Sequence, residues 1–282
     1  MNRLTTQRTQ ILGADLRFLR SGRGPTIVLL HTLRTQLEYF IPLLNALNQD
    51  FEIVAPDLPG HGRSSAPHVE YTAGYFTDAV EQFLEHLDLG RVLLVGESIG
   101  ASIGLALAAR RNNRLAGVIA INPYDYGRGG GIRRSSLLAN ILFEAMTWPV
   151  IGPVVVRTGT KNILRTIMEG GVYDARNLPS DLIDEMWVCG KLPGHARAFL
   201  SLSRQWQTWI TARAVYPAVE LPITLVYGDH DWSRPEDREA NRRVLRTVST
   251  LAVANCGHFG CLDQPQQIAG VIRDEVARMR AA

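Results

Sequence analysis

A chain of 282 residues is long enough to fold as one large α/β domain with an insertion, and it needs neither disulfides nor a metal to build a core. Its formal charge of +3, with 20% charged residues and few basic runs, argues against nucleic acid as a binding partner. The three cysteines form no C-x-x-C pair, which argues against a disulfide framework and a cysteine metal site and favours a reducing compartment.

The N-terminal residues 1–7 lack the apolar run of a signal peptide. No stretch of the sequence approaches the roughly 18 consecutive apolar residues of a membrane-spanning helix. We therefore expect a cytoplasmic protein with no membrane span. The sequence predicts no particular oligomeric state.

The first half of the chain alternates predicted strands and helices. Residues 9–19 alternate in hydrophobicity and reach a turn-forming run at 21–25, which predicts a hairpin entering a strand. Continuous apolar runs predict strands buried on both faces, and apolar residues at helical spacing predict amphipathic helices between them. The strands are expected at 26–31, 52–56, 92–95 and 117–121. This alternation predicts the α/β class, with a mostly parallel sheet covered by helices on both faces.

The middle of the chain breaks this alternation. It shows no buried-strand pattern, only helix-like stretches interrupted by Pro and Gly. Strands are predicted again at 223–228 and 250–253, before a closing helix. We therefore predict a core domain of residues 1–125 and 217–282, with a helical cap of residues 126–216 inserted into it.

A G-x-S-x-G pentapeptide, residues 96–100, stands between the third of these buried strands and a helix rich in small residues. This pattern is typical of a nucleophile elbow, in which small residues on both sides let the backbone pass close to an exposed serine. Ser98 is then the candidate nucleophile. The pentapeptide alone is also compatible with a plain glycine-containing turn between a buried strand and a packed helix.

Partners for Ser98 are expected after other strands, because parallel sheets place ligands at the carboxyl ends of their strands. The base should be a histidine, whose pKa lies nearest the working pH, and His258 follows the last predicted strand. An acid is needed to orient the imidazole. Asp229 and Asp231 both follow the strand at 223–228, and spacing does not separate them.

Serine, acid and histidine in this order make the chain similar to the capped α/β-hydrolases, a group of esterases, epoxide hydrolases and C–C hydrolases. The resemblance is carried by five motifs, namely His31-Thr32, residues 57–64, residues 96–100, residues 228–231 and Gly257-His258. The family pattern G-x-x-D implies that Asp231 is the acid. In some relatives the acid follows the preceding strand, which corresponds here to Asp125. The resemblance also implies an oxyanion hole formed by the backbone N–H groups of Leu33 and Ile99.

Two residues depart from the family pattern. His31-Thr32 stands where His-Gly is usual, so the path of the oxyanion loop is open. Glu97 precedes the nucleophile, where it either pairs with a neighbour behind the elbow or tunes the site. Arg34 is either placed to meet a substrate carboxylate or is a solvated surface arginine. The candidate pocket residues are His31, Thr32, Arg34, Glu97, Trp206 and Trp232.

The serine also restricts the chemistry. Epoxide hydrolases and haloalkane dehalogenases resembling this chain need an aspartate nucleophile, so Ser98 argues against both. We expect a hydrolase without cofactor or metal that cleaves a small ester, thioester, lactone or activated ketone with an apolar or aromatic part. The alternatives are an acyltransferase, C–C bond hydrolase or cyclase using the same triad, and a ligand-binding protein on a hydrolase scaffold.

Overall fold

The computed structural model describes residues 5–47, 50–126 and 130–281. The strands are β1 (Thr6–Ile11), β2 (Ala14–Ser21), β3 (Thr26–Leu30), β4 (Glu52–Pro56), β5 (Val92–Glu97), β6 (Leu115–Ile121), β7 (Ile223–Gly228) and β8 (Val248–Val253). The helices of the first half are α1 (Ile41–Leu47), α2 (Ala73–His86) and α3 (Ile99–Ala109). Those between β6 and β7 are α4 (Gly130–Ser135), α5 (Leu137–Thr147), α6 (Ile151–Thr158), α7 (Lys161–Glu169), α8 (Ser180–Cys189), α9 (His195–Arg204) and α10 (Trp206–Thr211). The last three are α11 (Pro235–Val244), α12 (Gly260–Asp263) and α13 (Pro265–Ala281).

The strands form one sheet in the order β1-β2-β4-β3-β5-β6-β7-β8. β2 pairs antiparallel with β1 and with β4, and every other neighbouring pair is parallel. The prediction of a mostly parallel sheet flanked by helices is therefore confirmed. Helices α3 and α13 pack on opposite faces of the sheet. Side chains alternate along each strand, so each strand contributes apolar residues to both faces. On β5, Leu94 joins one hydrophobic cluster, while Leu93 and Val95 join the other.

The predicted hairpin turn at residues 21–25 is wrong. The hairpin reverses at Leu12 and Gly13, both with positive φ (47° and 75°), as a two-residue turn between twisted strands requires. Ser21 instead ends β2, and residues 22–25 connect it to β3; the two strands do not pair because β4 lies between them. A Cβ on Gly22 would lie 2.0 Å from the Phe51 carbonyl oxygen, so close packing against the start of β4 explains the glycine there.

The described part of the segment between β6 and β7 consists of helices and turns, with no strand. A short 3₁₀ helix, Ala212–Ala218, leads from it into β7. Residues 127–129, near the start of the predicted cap, lie outside the described residues. Among the helices that the structure describes, none combines the length and the apolar character needed to cross a membrane.

Candidate active site

Ser98 occupies a strained turn between β5 and α3. Its φ of 58° and ψ of −115° are rarely adopted by a residue with a side chain, and such strain persists where the surrounding fold fixes it. A Cβ on Gly96 would lie 2.2 Å from the Gly100 carbonyl oxygen, and one on Gly100 would lie 2.2 Å from the Leu30 carbonyl oxygen. Both flanking glycines are therefore required by close backbone approach, which is the geometry of a nucleophile elbow.

A chain of two hydrogen bonds links the serine to an acid. Ser98 Oγ lies 2.9 Å from His258 Nε2, and His258 Nδ1 lies 2.6 Å from Asp231 Oδ1. The side chains of His258 and Asp231 are 1% and 0% exposed. Burial by itself would raise the pKa of Asp231, but the neighbouring His258 and hydrogen bonds from His258 and Ser233 hold it below its ordinary value. Asp231 is therefore ionised at neutral pH and accepts the His258 Nδ1–H.

The other two aspartates considered for this role have different partners. Asp229 accepts hydrogen bonds from the backbone N–H groups of Asn255 and Cys256, so it holds the turn after β8. Asp125 accepts from the Tyr216 hydroxyl, at 2.9 Å, and from the side-chain amide of Asn241. Of the three, Asp231 is the one whose carboxylate reaches His258.

Two backbone N–H groups near the serine, those of Ile99 and Leu33, are the candidates for binding an oxyanion. Ile99 is the first residue of α3, so its N–H has no acceptor within the helix and lies at the positive end of the helix dipole. Leu33 and Thr32 follow β3, and both line the same cavity as Ser98. Arg34, the next residue, has a φ of 61°, so the loop turns sharply just after Leu33.

His31 does not line this cavity; its side chain is fully buried beneath the loop. Its Nδ1 lies 2.8 Å from the Thr32 carbonyl oxygen, and its Nε2 accepts from the Leu58 N–H at 3.0 Å. These partners assign the proton to Nδ1, which donates to Thr32. Burial lowers the pKa of His31 to about 4, so the ring stays neutral. The ring therefore holds the loop after β3, because a neutral imidazole can accept on one side and donate on the other.

Glu97 also lies outside the cavity, on the other side of the elbow. Its Oε1 accepts from the Gly260 N–H at 2.6 Å and from the Cys261 N–H at 3.4 Å, and its Oε2 accepts from the Tyr39 hydroxyl. Burial raises its pKa to about 7 despite these hydrogen bonds. The sequence left open whether Glu97 pairs with a neighbour behind the elbow or tunes the site. Its contacts are those of the first alternative. Because Gly260 follows His258 by two residues, this carboxyl connects the strand of the nucleophile to the loop of the base.

The cavity above Ser98 has a volume of about 170 Å³ and is mainly apolar. Its lining includes Arg34 and Trp232, which the sequence proposed, but not Trp206, which borders a separate small pocket with Leu33 and Tyr124. The aromatic and long apolar residues that line it include Tyr124, Phe143, Met146, Ile163, Trp187, Phe199, Trp232 and Phe259. Sequence reasoning missed most of these, although Tyr124 and Phe259 follow strand ends and the same rule that found His258 points to them. We call this space the inner cavity.

The described residues contain no group of three or more His, Cys, Asp or Glu side chains placed to hold a metal ion. The polar groups that face Ser98 are instead the hydrogen-bonded imidazole of His258 and the N-terminal end of α3. This arrangement can expose a hydroxyl, remove its proton and stabilise a developing negative charge on a bound carbonyl oxygen.

A family model described as the alpha/beta hydrolase fold matches residues 25–139, which run from β3 through the elbow into α5. The chain has the α/β-hydrolase fold. Two solved structures match this α/β-hydrolase over nearly its whole length. Cfl2 from Burkholderia cenocepacia superposes with a TM-score of 0.85 at 23% identity and covers 97% of both chains. The epoxide hydrolase CorEH superposes with a TM-score of 0.85 at 21% identity and covers 98% of this chain and 99% of its own.

At these identities the two structures show the fold alone. A curated relative, the 2-(acetamidomethylene)succinate hydrolase of Mesorhizobium japonicum, is 31% identical over 121 residues. That match covers 43% of this chain and 44% of the relative. Similar proteins thus include hydrolases with different substrates, so what this α/β-hydrolase acts on must be inferred from its own site.

Proposed function

We propose that this α/β-hydrolase is a serine hydrolase that cleaves an ester, thioester, lactone or activated ketone through an acyl-enzyme. The observation that carries the proposal is the continuous hydrogen-bond chain from Ser98 Oγ through His258 to Asp231. Each of the three residues follows a different strand, and all three side chains are buried at one edge of the sheet. Such a chain is the arrangement that activates a hydroxyl, which is a weak nucleophile on its own.

In the proposed reaction, Ser98 Oγ attacks the substrate carbonyl carbon while His258 Nε2 takes the hydroxyl proton. The N–H groups of Ile99 and Leu33 stabilise the oxyanion, and ionised Asp231 stabilises the imidazolium. His258 then gives the proton to the leaving group, and the carbonyl re-forms as an acyl-enzyme. A water molecule, deprotonated by His258, attacks the acyl carbon and releases the acid from Ser98.

The serine distinguishes the proposed acyl chemistry from epoxide opening and dehalogenation. An alkyl-ester intermediate requires a carboxylate oxygen at the nucleophile position, whereas residue 98 supplies a hydroxyl. Attack by a serine on a carbonyl needs an oxyanion hole, and Ile99 supplies a helix N-terminal N–H directly after the nucleophile. These two features favour acyl chemistry over epoxide opening or dehalogenation.

We further propose that residues 126–216 act as a cap over the site. Helices α5, α6, α7 and α9 contribute side chains to the inner cavity, including Phe143, Val155, Ile163 and Phe199. An apolar lining excludes water and favours an apolar or aromatic substrate group. A small-molecule substrate follows from the size of this cavity. The three free, buried cysteines support a reducing, cytoplasmic location.

The decisive experiment combines covalent labelling with turnover. Wild-type protein treated with a fluorophosphonate probe should gain the mass of one adduct on Ser98, and it should hydrolyse members of a panel of 4-nitrophenyl esters. Ser98→Ala should lose the adduct and at least about 10³-fold in kcat/KM. Ser102→Ala is the matched control, because Ser102 lies one helical turn on and its hydroxyl donates to the Ser98 carbonyl oxygen. Failure to label, together with equal turnover by Ser98→Ala, would overturn the proposal.

A further inference from the structure

A second and larger cavity adjoins the inner one. It has a volume of about 800 Å³ and is bordered by α6, α9, the turn after α8 and the loop after β3. Arg34, Val156, Gly159 and Trp187 line both cavities, so the two spaces meet at these residues. We call the second space the outer cavity. A ligand bound over Ser98 can therefore extend from an apolar compartment into the outer cavity.

The charged side chains of the outer cavity are almost all basic. One carboxylate, Glu70, lies among its lining residues. The cations are Arg34, Arg157, Lys191, Arg197 and Arg204. Within residues 5–47, 50–126 and 130–281, none of these five forms an ion pair with a carboxylate. Elsewhere in the same helical segment, by contrast, Lys161 pairs with Asp184 and Arg176 with Asp174.

Four of these cations are held in place by groups that do not neutralise them. Arg197 donates to the carbonyl oxygens of Ala66 and Pro67, and Arg204 donates to those of Trp148 and Pro149. The Lys191 ammonium lies 4.3 Å from the ring centre of Trp187, and the Arg34 guanidinium lies 4.5 Å from that of Phe199. Backbone carbonyls and aromatic faces orient a cation but leave its charge in place. The cavity therefore keeps a concentrated positive potential.

Arg34 stands at the junction of the two cavities. Its side chain is half-buried, and burial lowers its pKa to about 10, which leaves it charged at neutral pH. Taking a guanidinium out of water costs free energy that a bound oxyanion can offset. Arg34 is also one residue from Leu33 of the oxyanion loop. A negatively charged substrate group bound here would thus lie close to the reacting carbonyl.

We propose that the outer cavity binds the anionic part of the substrate, a group with carboxylate or phosphate oxygens, while the apolar part occupies the inner cavity. This assignment of substrate class rests on the proposed serine hydrolase function. In either case the bound group carries negatively charged oxygens. It has either two or more negative charges or a single charge that pairs with Arg34. Two sources supply it: an anion at the far end of the acyl group, or an anionic leaving group.

Paired substrates distinguish these sources. The acyl arm compares the mono-4-nitrophenyl ester of octanedioic acid with 4-nitrophenyl octanoate, which lacks the terminal carboxylate. The leaving-group arm compares octanoyl-coenzyme A with the neutral thioester octanoyl-N-acetylcysteamine. We expect kcat/KM to favour the anionic member of one pair by about tenfold or more, through a lower KM, and expect this preference to fall as salt rises. Equal kcat/KM within both pairs would overturn the proposal.

Charge removal tests whether the outer cavity causes the preference. The double variant Arg157→Gln/Lys191→Gln should reduce the anionic-to-neutral ratio of kcat/KM by about five- to tenfold, because each exposed charge contributes modestly. The matched control is Lys161→Gln/Arg176→Gln, which removes two cations of the same helical segment outside the cavity lining. The control should keep the wild-type ratio. A preference that survives in the first variant, or falls equally in both, contradicts the proposal.

A binding measurement separates this proposal from the hydrolase function. In Ser98→Ala protein, isothermal titration calorimetry with inorganic pyrophosphate and with octanedioate should detect binding of at least one probe. Arg157→Gln/Lys191→Gln in the same background should weaken it at least about fivefold. Binding without ester turnover in the wild type would leave the anion site standing and reject the hydrolase. Turnover of neutral esters with no binding of either anion would support the hydrolase and reject the anion site.

Discussion

The indole of Trp232 stacks on the imidazole of His258, with ring centres 3.9 Å apart and planes 14° apart. Trp232 Nε1 also donates to the Gly170 carbonyl oxygen at 2.9 Å, and the N–H of Phe259 donates to the Gly171 carbonyl oxygen at 2.9 Å. The proposed base is therefore fixed from two sides by the turn that ends α7. Its position depends on the helical segment between β6 and β7 as well as on the sheet.

The first prediction concerns this stacking. Trp232→Ala removes the ring that covers His258, admits water to the site and should lower kcat/KM for a 4-nitrophenyl ester by about tenfold or more. Trp232→Phe keeps an aromatic face but loses the hydrogen bond to Gly170, so it should retain more activity and lose about 1 kcal/mol of unfolding free energy. Steady-state kinetics and urea unfolding measure both effects. Trp206→Ala, outside the inner cavity, is the control, and an equal loss of activity in it would contradict the assignment.

The second prediction separates two neighbouring aspartates. Asp231→Asn keeps the shape of the side chain but removes the charge that stabilises the imidazolium, so kcat should fall by about 10³- to 10⁴-fold. Asp229→Asn keeps one of the two oxygens that accept from the Asn255 and Cys256 N–H groups, so it weakens that turn without touching His258, and its activity should stay within about twofold of wild type. Both proteins should remain folded by circular dichroism. Comparable losses in the two variants would rule out Asp231 as the orienting acid.

The candidate triad was predictable from the sequence because its three residues follow different strands of one parallel sheet. Parallel strands of a single sheet end at the same edge, so residues distant in the chain become neighbours there. The need for glycine at positions 96 and 100 was also predictable, since close backbone approach at an elbow leaves no room for a Cβ. The mostly parallel sheet followed from the buried apolar runs.

The surroundings of the triad were not predictable in the same way. His31 and Glu97 both adjoin strand ends, but period-two alternation does not tell which side of a sharp turn receives a side chain. The cations of the outer cavity come from a loop, α6, the turn after α8, and α9, and no local pattern relates these elements. The order of helices in the insertion depends on long-range packing that a single sequence leaves open.

The third prediction tests the packing of the elbow. Gly100→Ala places a Cβ 2.2 Å from a backbone oxygen of β3, and neither the strand nor the helix can move far within the sheet. We expect a loss of at least about 3 kcal/mol of unfolding free energy, or failure to fold. Gly270→Ala is the matched control, because Gly270 lies within α13 and a Cβ there meets nothing within 4 Å. It should stabilise the protein by about 0.5–1 kcal/mol in thermal and urea unfolding. Equal behaviour of the two variants would contradict the close approach at the elbow.

The last prediction follows from Glu97, which links the elbow to the loop of His258. Its pKa is raised from 4.5 to about 7 in the folded protein, so between these values the native state binds more protons than the unfolded state. The stabilisation by the neutral carboxyl is therefore fully present below pH 4.5 and is lost as pH rises through about 7. Glu97→Gln keeps the acceptor for Gly260 and removes the titration. The unfolding free energy of wild type relative to Glu97→Gln should thus fall by about 3 kcal/mol between pH 4.5 and pH 8.

Taking this difference at each pH cancels the titration of groups common to both proteins. His31 is one of them, because burial lowers its pKa to about 4 and its contribution is lost as pH falls, the opposite direction to Glu97. Urea unfolding of the two proteins at half-unit pH intervals measures the difference. A difference that does not change with pH would mean that Glu97 titrates normally and is not desolvated behind the elbow. A difference that rises with pH would mean that its ionised form is the one that holds Gly260.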